Sequence, residues 1–395
     1  MRPCWDLPRL AMLPVLLLVS APPATAQQLT QWETYTNGEE QEAASAAQEL
    51  ISQLRNDYVN KGKRVFRDAH PRGIGCVAAT FTVNKDLPAQ FQTGVFAQAG
   101  ASYDAIIRFS SSLGPVGDHT GDARGFAIKL FGVPGTKLLS DQPNATTVDF
   151  LHIDAPFFPA VNTHDFAGIV KIKSNPKSIG SFLLENPIVH ALELKNLVAL
   201  STANPNNGKS LAERQFYSQV PYLLQGSTIN IPTKFTSRPC SAVAHLPLNG
   251  SDTELRDDLQ YRLNQGPLCY QFAVQFYQPG LKVEDATNVW GENKVPFTNF
   301  ATITIPQQNF MTDAKLHYCD ALSFHPWHTL AQHQPLGNIN RARRTIYEAI
   351  SKYRHEQNNE SGLATEPADR KAFDALTDTT YSTWNAVTLP APASR

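Results

Sequence analysis

The fold is decided by four short runs in the first half of the chain: CVAATFTV (76–83), AIIRFSS (105–111), RGFAIKLFG (124–132) and TVDFLHI (147–153). Each run is rich in β-branched and aromatic residues and is bounded by Gly, Pro or Asp, a pattern that predicts β-strands. Three similar runs follow much later, namely STINIPTKFTS (227–237), CYQFAVQFY (269–277) and FATITI (300–305). The sequence therefore predicts two sets of strands separated by a long insert.

Helical patterns occupy the insert and both ends of this region. Residues 164–214 look helical in pieces, most clearly in NPIVHALELKNLVALS (186–201). Residues 39–58 predict an exposed helix, because apolar residues recur at four-residue spacing: Ala46, Leu50 and Leu54. Residues 340–357 predict a basic amphipathic helix. Two sets of strands around a helical insert, closed by a helix, predict one α+β domain with an antiparallel sheet or barrel.

The composition excludes several classes of protein. The chain has 395 residues, with 34 Lys+Arg against 35 Asp+Glu, and 42% of its residues are hydrophobic. A disordered chain would be less hydrophobic and more highly charged. A net charge near zero argues against non-specific nucleic-acid binding, so we expect no nucleic-acid partner.

The first 26 residues have the three parts of a secretory signal. Arg2 and Arg9 flank a polar start, 10–20 are nearly all apolar, and Ala24-Thr25-Ala26 supplies a small-residue cleavage site. The apolar run is too short to cross a bilayer, which takes about 20 residues, although a retained anchor is the alternative. We therefore expect a secreted, periplasmic or extracellular protein with no membrane contact after cleavage. The predicted organisation is a signal peptide (1–26), a helical arm (27–66), a core (67–377) and a loose tail (378–395).

Four cysteines remain after cleavage: Cys76, Cys240, Cys269 and Cys319. An oxidising compartment favours disulfides, and four thiols allow three complete pairings between which the sequence does not choose. None of the four has the spacing of a zinc site. Cys76 lies among small and apolar residues and is predicted simply to be buried.

Three motifs resemble known sites but lack their context. Residues 73–78 (GIGCVA) match a dinucleotide fingerprint, yet they open a predicted strand where the motif requires a helix. Residues 203–210 (ANPNNGKS) imitate a phosphate-binding loop after a predicted helix rather than a strand. Three histidines have spacing that permits a metal site, but they lie in a Pro-rich loop without a carboxylate: His325, His328 and His333.

A more specific set of residues begins with RDAHPRGIG (67–75), just before the first strand. On the next strand, Arg108 and Ser110 point to the same side because side chains alternate along a strand. DARGFAIK (122–129) opens a third strand. On the last helix, spacings of four and seven residues put three side chains on one face: Arg343, Tyr347 and Arg354.

In this order, these pieces resemble the catalase family of haem proteins. The resemblance runs from about 67 to 354, roughly three quarters of the chain. It also includes DFLHIDAPFF (149–158), Asp285-x-Thr287-x-x-Trp290 and Phe324-x-Pro326. The chain resembles the bare catalase core, so the expected fold is an antiparallel β-barrel with surrounding helices. Large catalases assemble as tetramers through arms that we do not expect in this chain, so we expect a monomer or homodimer.

The resemblance implies a haem b cofactor with Tyr347 as its iron ligand. A free tyrosine has a pKa near 10, so iron and a nearby guanidinium are needed to hold it as phenolate, and Arg343 lies one turn away. The two haem propionates call for cations, and arginine binds a carboxylate at two points. By resemblance, this role falls to Arg67, Arg108 and Arg354.

On the opposite side of the haem, a peroxide must lose a proton from one oxygen and gain it on the other. A neutral imidazole can carry that proton. By resemblance, His70 is this group, and Ser110 is the hydroxyl that orients it.

One catalytic position departs from the family. Catalases have an Asn where this chain has Asp154, within DAPFF (154–158), and Pro159 replaces the Phe that stacks on the haem. An Asn donates a hydrogen bond to peroxide, whereas an ionised Asp only accepts one. Asp154 could pair with His70 and raise its pKa, or hold a proton itself if buried.

The predicted function is therefore that of a secreted haem oxidoreductase with a catalase or peroxidase type of activity. Its substrate would be hydrogen peroxide or an organic hydroperoxide, since catalase-fold allene oxide synthases act on organic peroxides. The changed position at Asp154 leaves a second possibility, a non-catalytic haem carrier.

Overall fold

A computed structural model of the protein describes residues 30–114, 116–243, 246–360 and 365–376. The predicted signal peptide and the predicted tail lie outside these residues. No helix in the described ranges combines the length and the apolar character needed to cross a membrane.

The described residues form nine β-strands, which are β1 (Arg72–Val83), β2 (Ser102–Ser111), β3 (Arg124–Leu130), β4 (Val148–Ile153), β5 (Phe216–Tyr217), β6 (Tyr222–Gln225), β7 (Asn230–Pro239), β8 (Leu268–Phe276) and β9 (Thr298–Ile305). All seven runs that were predicted as strands are confirmed. The two short strands β5 and β6 were not predicted from the sequence.

The strands close into an antiparallel barrel. Eight of them follow the order β5-β4-β3-β2-β1-β9-β8-β7, and pairing of β5 with β7 completes the circle. Strand β6 extends β7 on the outside of this ring. The α+β class and the barrel that the sequence predicted are confirmed.

Aromatic side chains fill the barrel. Phe272 on β8 lies 5.0 to 5.4 Å, between ring centroids, from three other phenylalanines: Phe81, Phe150 and Phe235. An eight-stranded barrel is just wide enough for side chains to fill it. The barrel interior is therefore a packed core, and alternate residues of each strand face outward.

Within the described ranges, eight α-helices accompany the barrel: α1 (Glu39–Asp57), α2 (Thr163–Ser174), α3 (Ile179–Glu185), α4 (Pro187–Leu200), α5 (Glu254–Gln265), α6 (Asp313–Ala321), α7 (Asn338–Gln357) and α8 (Lys371–Asp374). The helical insert appears as α2 to α4, and the basic amphipathic helix as α7. Helices α5 and α6 were not predicted.

Helix α1 has the predicted span, but the prediction that it is exposed is wrong. Its residues Ala46, Leu50 and Leu54 are buried against Ile346 and Ile350 of α7 and against part of α2. The four-residue spacing that marked the helix also defines this buried stripe. The arm is thus one layer of a helical cover over the barrel.

Two disulfides link distant segments. Cys76 on β1 is bonded to Cys319 on α6, and Cys240 to Cys269. Cys76 is buried as predicted, but it is also cross-linked, which its apolar neighbours in sequence did not indicate. The first bond holds the end of α6 against the strand that follows His70.

We expect Phe272→Ala to lower the free energy of unfolding by about 3 to 5 kcal/mol, because it opens a void among the barrel's phenylalanines. Urea unfolding followed by fluorescence measures the loss. Leu184→Ala on α3 is the control, because Leu184 is 82% exposed and its truncation should change stability by no more than about 0.5 kcal/mol. Equal effects of the two substitutions would contradict a packed barrel interior.

Candidate active site

A cavity of about 410 Å³ lies against the outward face of β2, β3 and β4. His70 and Tyr347 both line it, although they are far apart in the sequence. A second space of about 200 Å³ shares Tyr347, Arg343 and Phe324 with the first and extends along α7. Together, the two spaces fall in the size range of small-molecule and cofactor sites.

The alternation of β2 determines which side chains reach this cavity. Ile107 and Phe109 point into the barrel core, whereas Arg108 and Ser110 point outward and line the cavity. The sequence-based expectation that Arg108 and Ser110 share one side of the strand is confirmed.

His70 is held in an unusual position just before β1. Its backbone has φ 58°, in the left-handed region that few non-glycine residues adopt. Its Nδ1 lies 3.2 Å from Oγ of Ser110. Gly125 on β3 makes room for this pair, since a Cβ there would lie 2.8 Å from the His70 Nδ1 and collide with the Ser110 hydroxyl.

Burial lowers the pKa of His70 to about 3, and nearby guanidinium groups add to the effect, first among them that of Arg108. Desolvation and positive neighbours both disfavour the imidazolium form. His70 is therefore a neutral imidazole at any pH near 7.

Tyr347 stands on α7 with Arg343 one turn before it. The Arg343 guanidinium donates to the Tyr347 hydroxyl at 3.4 Å and lies 5.2 Å from the centre of its ring. Burial by itself lowers the pKa of Arg343, but the Tyr347 and Tyr222 phenols raise it above its ordinary value overall. Arg343 is therefore a fixed positive charge beside the Tyr347 oxygen.

Three further arginines meet where α6 ends. Arg67 and Arg108 form ion pairs with Asp320 at 3.5 and 3.1 Å, and Arg354 donates to the backbone carbonyls of Asp320 and Leu322. All three line one or both cavities.

This arginine cluster carries more positive charge than its acid offsets. Arg67 and Arg108 share one carboxylate, that of Asp320, whereas Arg354 donates to backbone carbonyls. Nε of Arg108 has no hydrogen-bond partner among the described residues. Burial and the neighbouring Arg108 and Arg354 hold the pKa of Arg67 well below its ordinary range. A buried group with two negative charges would complement this cluster.

The structure does not support the predicted catalytic role of Asp154. Its carboxylate accepts from the Arg214 guanidinium at 2.6 Å, the Arg124 backbone N–H at 2.9 Å and the Asn204 amide at 3.3 Å. Asp154 is not among the residues that line the two cavities. The suggested pairing of Asp154 with His70 is therefore wrong, and so is the suggested rise in the pKa of His70.

Several cavity residues were missed by sequence analysis. Leu197, Val198 and Leu200 of α4 form an apolar wall together with Leu113 after β2. Val198 is 51% exposed and Leu113 53%, so this wall continues to the protein surface. The apolar run in 186–201 could have indicated such a wall, but it was interpreted only as a helix.

Asp122 also lines the cavity. Its carboxylate accepts from the backbone N–H groups of Ser112 and Leu113 at 2.7 and 3.0 Å. Burial raises the pKa of Asp122 to about 6, although Arg124 and these hydrogen bonds act in the opposite direction.

Two of the three motifs that resembled known sites have ordinary structural positions. Residues 73–78 lie within β1, not at a helix start. His328 contacts the Thr147 hydroxyl at 2.7 Å, and His333 accepts from the Val95 N–H at 2.9 Å. His325 packs on the edge of the Tyr347 ring. The three histidines thus have separate partners.

The family model described as Catalase matches residues 36–171. Catalase A of Staphylococcus xylosus is 32% identical over 114 residues, which cover 28% of this chain and 21% of that protein. The family-model match thus includes His70, Arg108 and Ser110 but ends before α7.

Solved catalases have the same fold. A fungal catalase aligns with a TM-score of 0.61 at 18% identity, covering 81% of this chain and 64% of its own. Catalase A from Saccharomyces cerevisiae aligns with a TM-score of 0.61 at 17% identity, covering 80% of this chain and 67% of its own. The chain thus spans about a fifth of the curated relative and about two thirds of these solved structures. Residues 36–171 thus match the catalase family model, and the chain has the fold of the solved catalases.

Proposed function

We propose that the protein is a haem-dependent oxidoreductase that acts on peroxides. The observation that carries this proposal is that His70 and Tyr347 line one cavity beside an arginine cluster with excess positive charge. The family match over 36–171 supports the same reaction class.

The residues present fit a haem. Tyr347 offers a phenol oxygen as iron ligand, and Arg343 donates to that oxygen. The arginine cluster of Arg67, Arg108 and Arg354 offers the positive charge that two propionates need. When bound, the haem supplies a redox-active iron that exchanges electrons with the peroxide.

The protein's own part in the reaction is proton transfer. With Nδ1–H donated to the Ser110 hydroxyl, the Nε2 of His70 is free to accept a proton from peroxide and to return it to the other oxygen. The low pKa of His70 keeps this nitrogen unprotonated. Ser110 and Gly125 position the ring, and neither touches the proton in transit.

Two peroxide reactions, each balanced in electrons, are compatible with this site. Two molecules of hydrogen peroxide can give two of water and one of dioxygen, one peroxide being reduced and the other oxidised. Alternatively, an organic hydroperoxide can be reduced to an alcohol and water, with two electrons and two protons from a phenolic donor. The apolar wall of Leu113, Leu197 and Val198 supports the second substrate class, because an alkyl chain that packs on it is removed from water.

The second candidate function is that of a non-catalytic haem carrier. One observation favours it: Asp154, at the position of the family's Asn, is bound to Arg214 and offers no donor to the cavity. A carrier would take up haem and turn over neither peroxide class.

We also propose that the protein works in an oxidising compartment. The two disulfides support this location, because such bonds persist outside the reducing cytosol.

The first test uses protein reconstituted with haem. We expect one haem per chain, measured by its Soret absorbance. The protein should release dioxygen from hydrogen peroxide or oxidise a phenolic donor with cumene hydroperoxide. His70→Ala should retain haem but lose turnover by roughly 100-fold or more. Tyr347→Phe should weaken haem retention. His164→Ala is the control, because His164 is an exposed histidine paired with Glu42. Full turnover in His70→Ala would refute the assigned role, and haem binding without any turnover would favour the carrier.

The second test concerns the position of the imidazole. Gly125→Ala should reduce peroxide turnover by about 100-fold, because its Cβ forces His70 and Ser110 apart. Gly180→Ala is the matched control on α3, where a Cβ meets no atom within 4 Å. Initial rates at saturating haem measure both variants. An unaffected rate in Gly125→Ala would show that the His70–Ser110 geometry is not needed.

The third test is the pH dependence of turnover. Because the pKa of His70 is lowered to about 3, its imidazole stays neutral over the pH range of this test. We therefore expect the rate to stay level between pH 8 and 6.5, with no step at 6.5, the ordinary pKa of histidine. A fall near pH 6 that disappears in Asp122→Asn would belong to that carboxyl. A tenfold loss per pH unit below 6.5 that persists in Asp122→Asn would contradict a depressed pKa at His70.

A further inference from the structure

A second group of buried ionisable side chains lies behind the wall of the cavity. Asp165 on α2 and His190 and Glu193 on α4 each offer one ligand atom, and these atoms all lie within 4.8 Å of one another. Their exposed fractions are 6%, 2% and 0%. Residues three apart on a helix share a face, so α4 presents His190 and Glu193 together to Asp165.

The orientation of His190 turns one ring nitrogen toward Asp165. Its Nδ1 is hydrogen-bonded to the Phe182 carbonyl, and its ring stacks on the Phe182 ring at 3.8 Å. A carbonyl only accepts, so Nδ1 carries the hydrogen. The other nitrogen, Nε2, lies 3.2 Å from Oδ1 of Asp165. Metal-binding histidines are commonly fixed in this way, by donation of the second N–H to a carbonyl.

Hydrogen bonds also fix the two carboxylates, and one carboxylate oxygen remains without a hydrogen-bond partner among the described residues. The Asn162 amide donates to Oδ2 of Asp165 at 3.0 Å, and the Val161 N–H donates to Oε1 of Glu193 at 2.7 Å. Oε2 of Glu193 is buried and has no hydrogen-bond partner among the described residues. No lysine or arginine in the described ranges forms an ion pair with either acid.

We propose that Asp165, His190 and Glu193 bind one divalent transition-metal ion of the zinc or manganese kind. Two carboxylates and a neutral imidazole carry a charge of −2, which one such ion neutralises. Ligand atoms about 2.1 Å from a shared tetrahedral ion lie about 3.4 Å apart, close to the 3.2 Å between Nε2 and Oδ1 here. The imidazole disfavours magnesium and calcium, which prefer oxygen ligands alone.

A proton is the competitor for this site. Burial raises the pKa of Glu193 to about 7, and the neighbouring Asp165 raises it further while His190 opposes the rise. Without the ion, a proton on Glu193 would therefore lie between the two acids and reduce their repulsion.

The ion would link α2 and α4, the two helices that border the cavity. Phe166, next to Asp165, and Leu197, one turn after Glu193, both line the larger cavity. A metal between α2 and α4 would thus fix the apolar wall from behind without contacting the substrate.

The test uses the full chain, both with and without added haem, in a His164→Gln background that removes an exposed histidine between Glu42 and Glu185. After chelator treatment, zinc or manganese is added singly and bound metal is counted by mass spectrometry. We expect one equivalent beyond the haem iron, a raised Tm, and an affinity at least about 100-fold lower in Glu193→Gln and His190→Gln. Magnesium should not substitute.

Absence of stoichiometric binding, or binding unchanged in both variants, would overturn the proposal. If the variants fail to fold, pulsed EPR of manganese bound to the His164→Gln protein decides, because a directly bound imidazole nitrogen must couple to the ion. No nitrogen coupling would also overturn it. These readouts do not involve peroxide or the Soret band, so they are independent of the proposed function.

Discussion

The alternation of side chains along β2 and β3 is the constraint on which the site depends. Ile107, Phe109 and Phe126 must point inward to fill the barrel, and this requirement turns Arg108, Ser110 and Gly125 outward. A shift of one residue in β2 would put Arg108 in the barrel core and turn Phe109 toward the cavity. The packing of the core therefore fixes where the cavity's polar groups stand, and the helical cover only has to bring α7 opposite to them.

Much of this arrangement could be predicted from the sequence, because it rests on local patterns. Alternating apolar runs marked seven strands, and spacings of four and seven residues put Arg343, Tyr347 and Arg354 on one face of α7. The short strand β5 carries two residues, too few for a periodic signal, yet its pairing with β7 closes the barrel. Closure is thus a tertiary property that no local pattern indicates.

The error at Asp154 has a similar origin. Motif position placed this residue beside His70, but its orientation is decided by Arg214, which lies 60 residues later. A buried acid turns toward the cation that can satisfy it. The proposed metal site was missed for the same reason, since Asp165 and the pair on α4 come together only when the helices pack. Ion pairs and ligand sets between distant segments are therefore what the sequence alone leaves open.

The pairing of β1 with β9 has a consequence for synthesis of the chain. Thr80 and Phe81 find their partners at Thr304 and Ile303, so the first strand has a free edge until more than three hundred residues have left the ribosome. Exposed strand edges invite pairing with other chains, and contacts so distant in sequence form slowly. Nascent molecules should thus depend on chaperones for most of translation, and truncated products that end before residue 298 should aggregate.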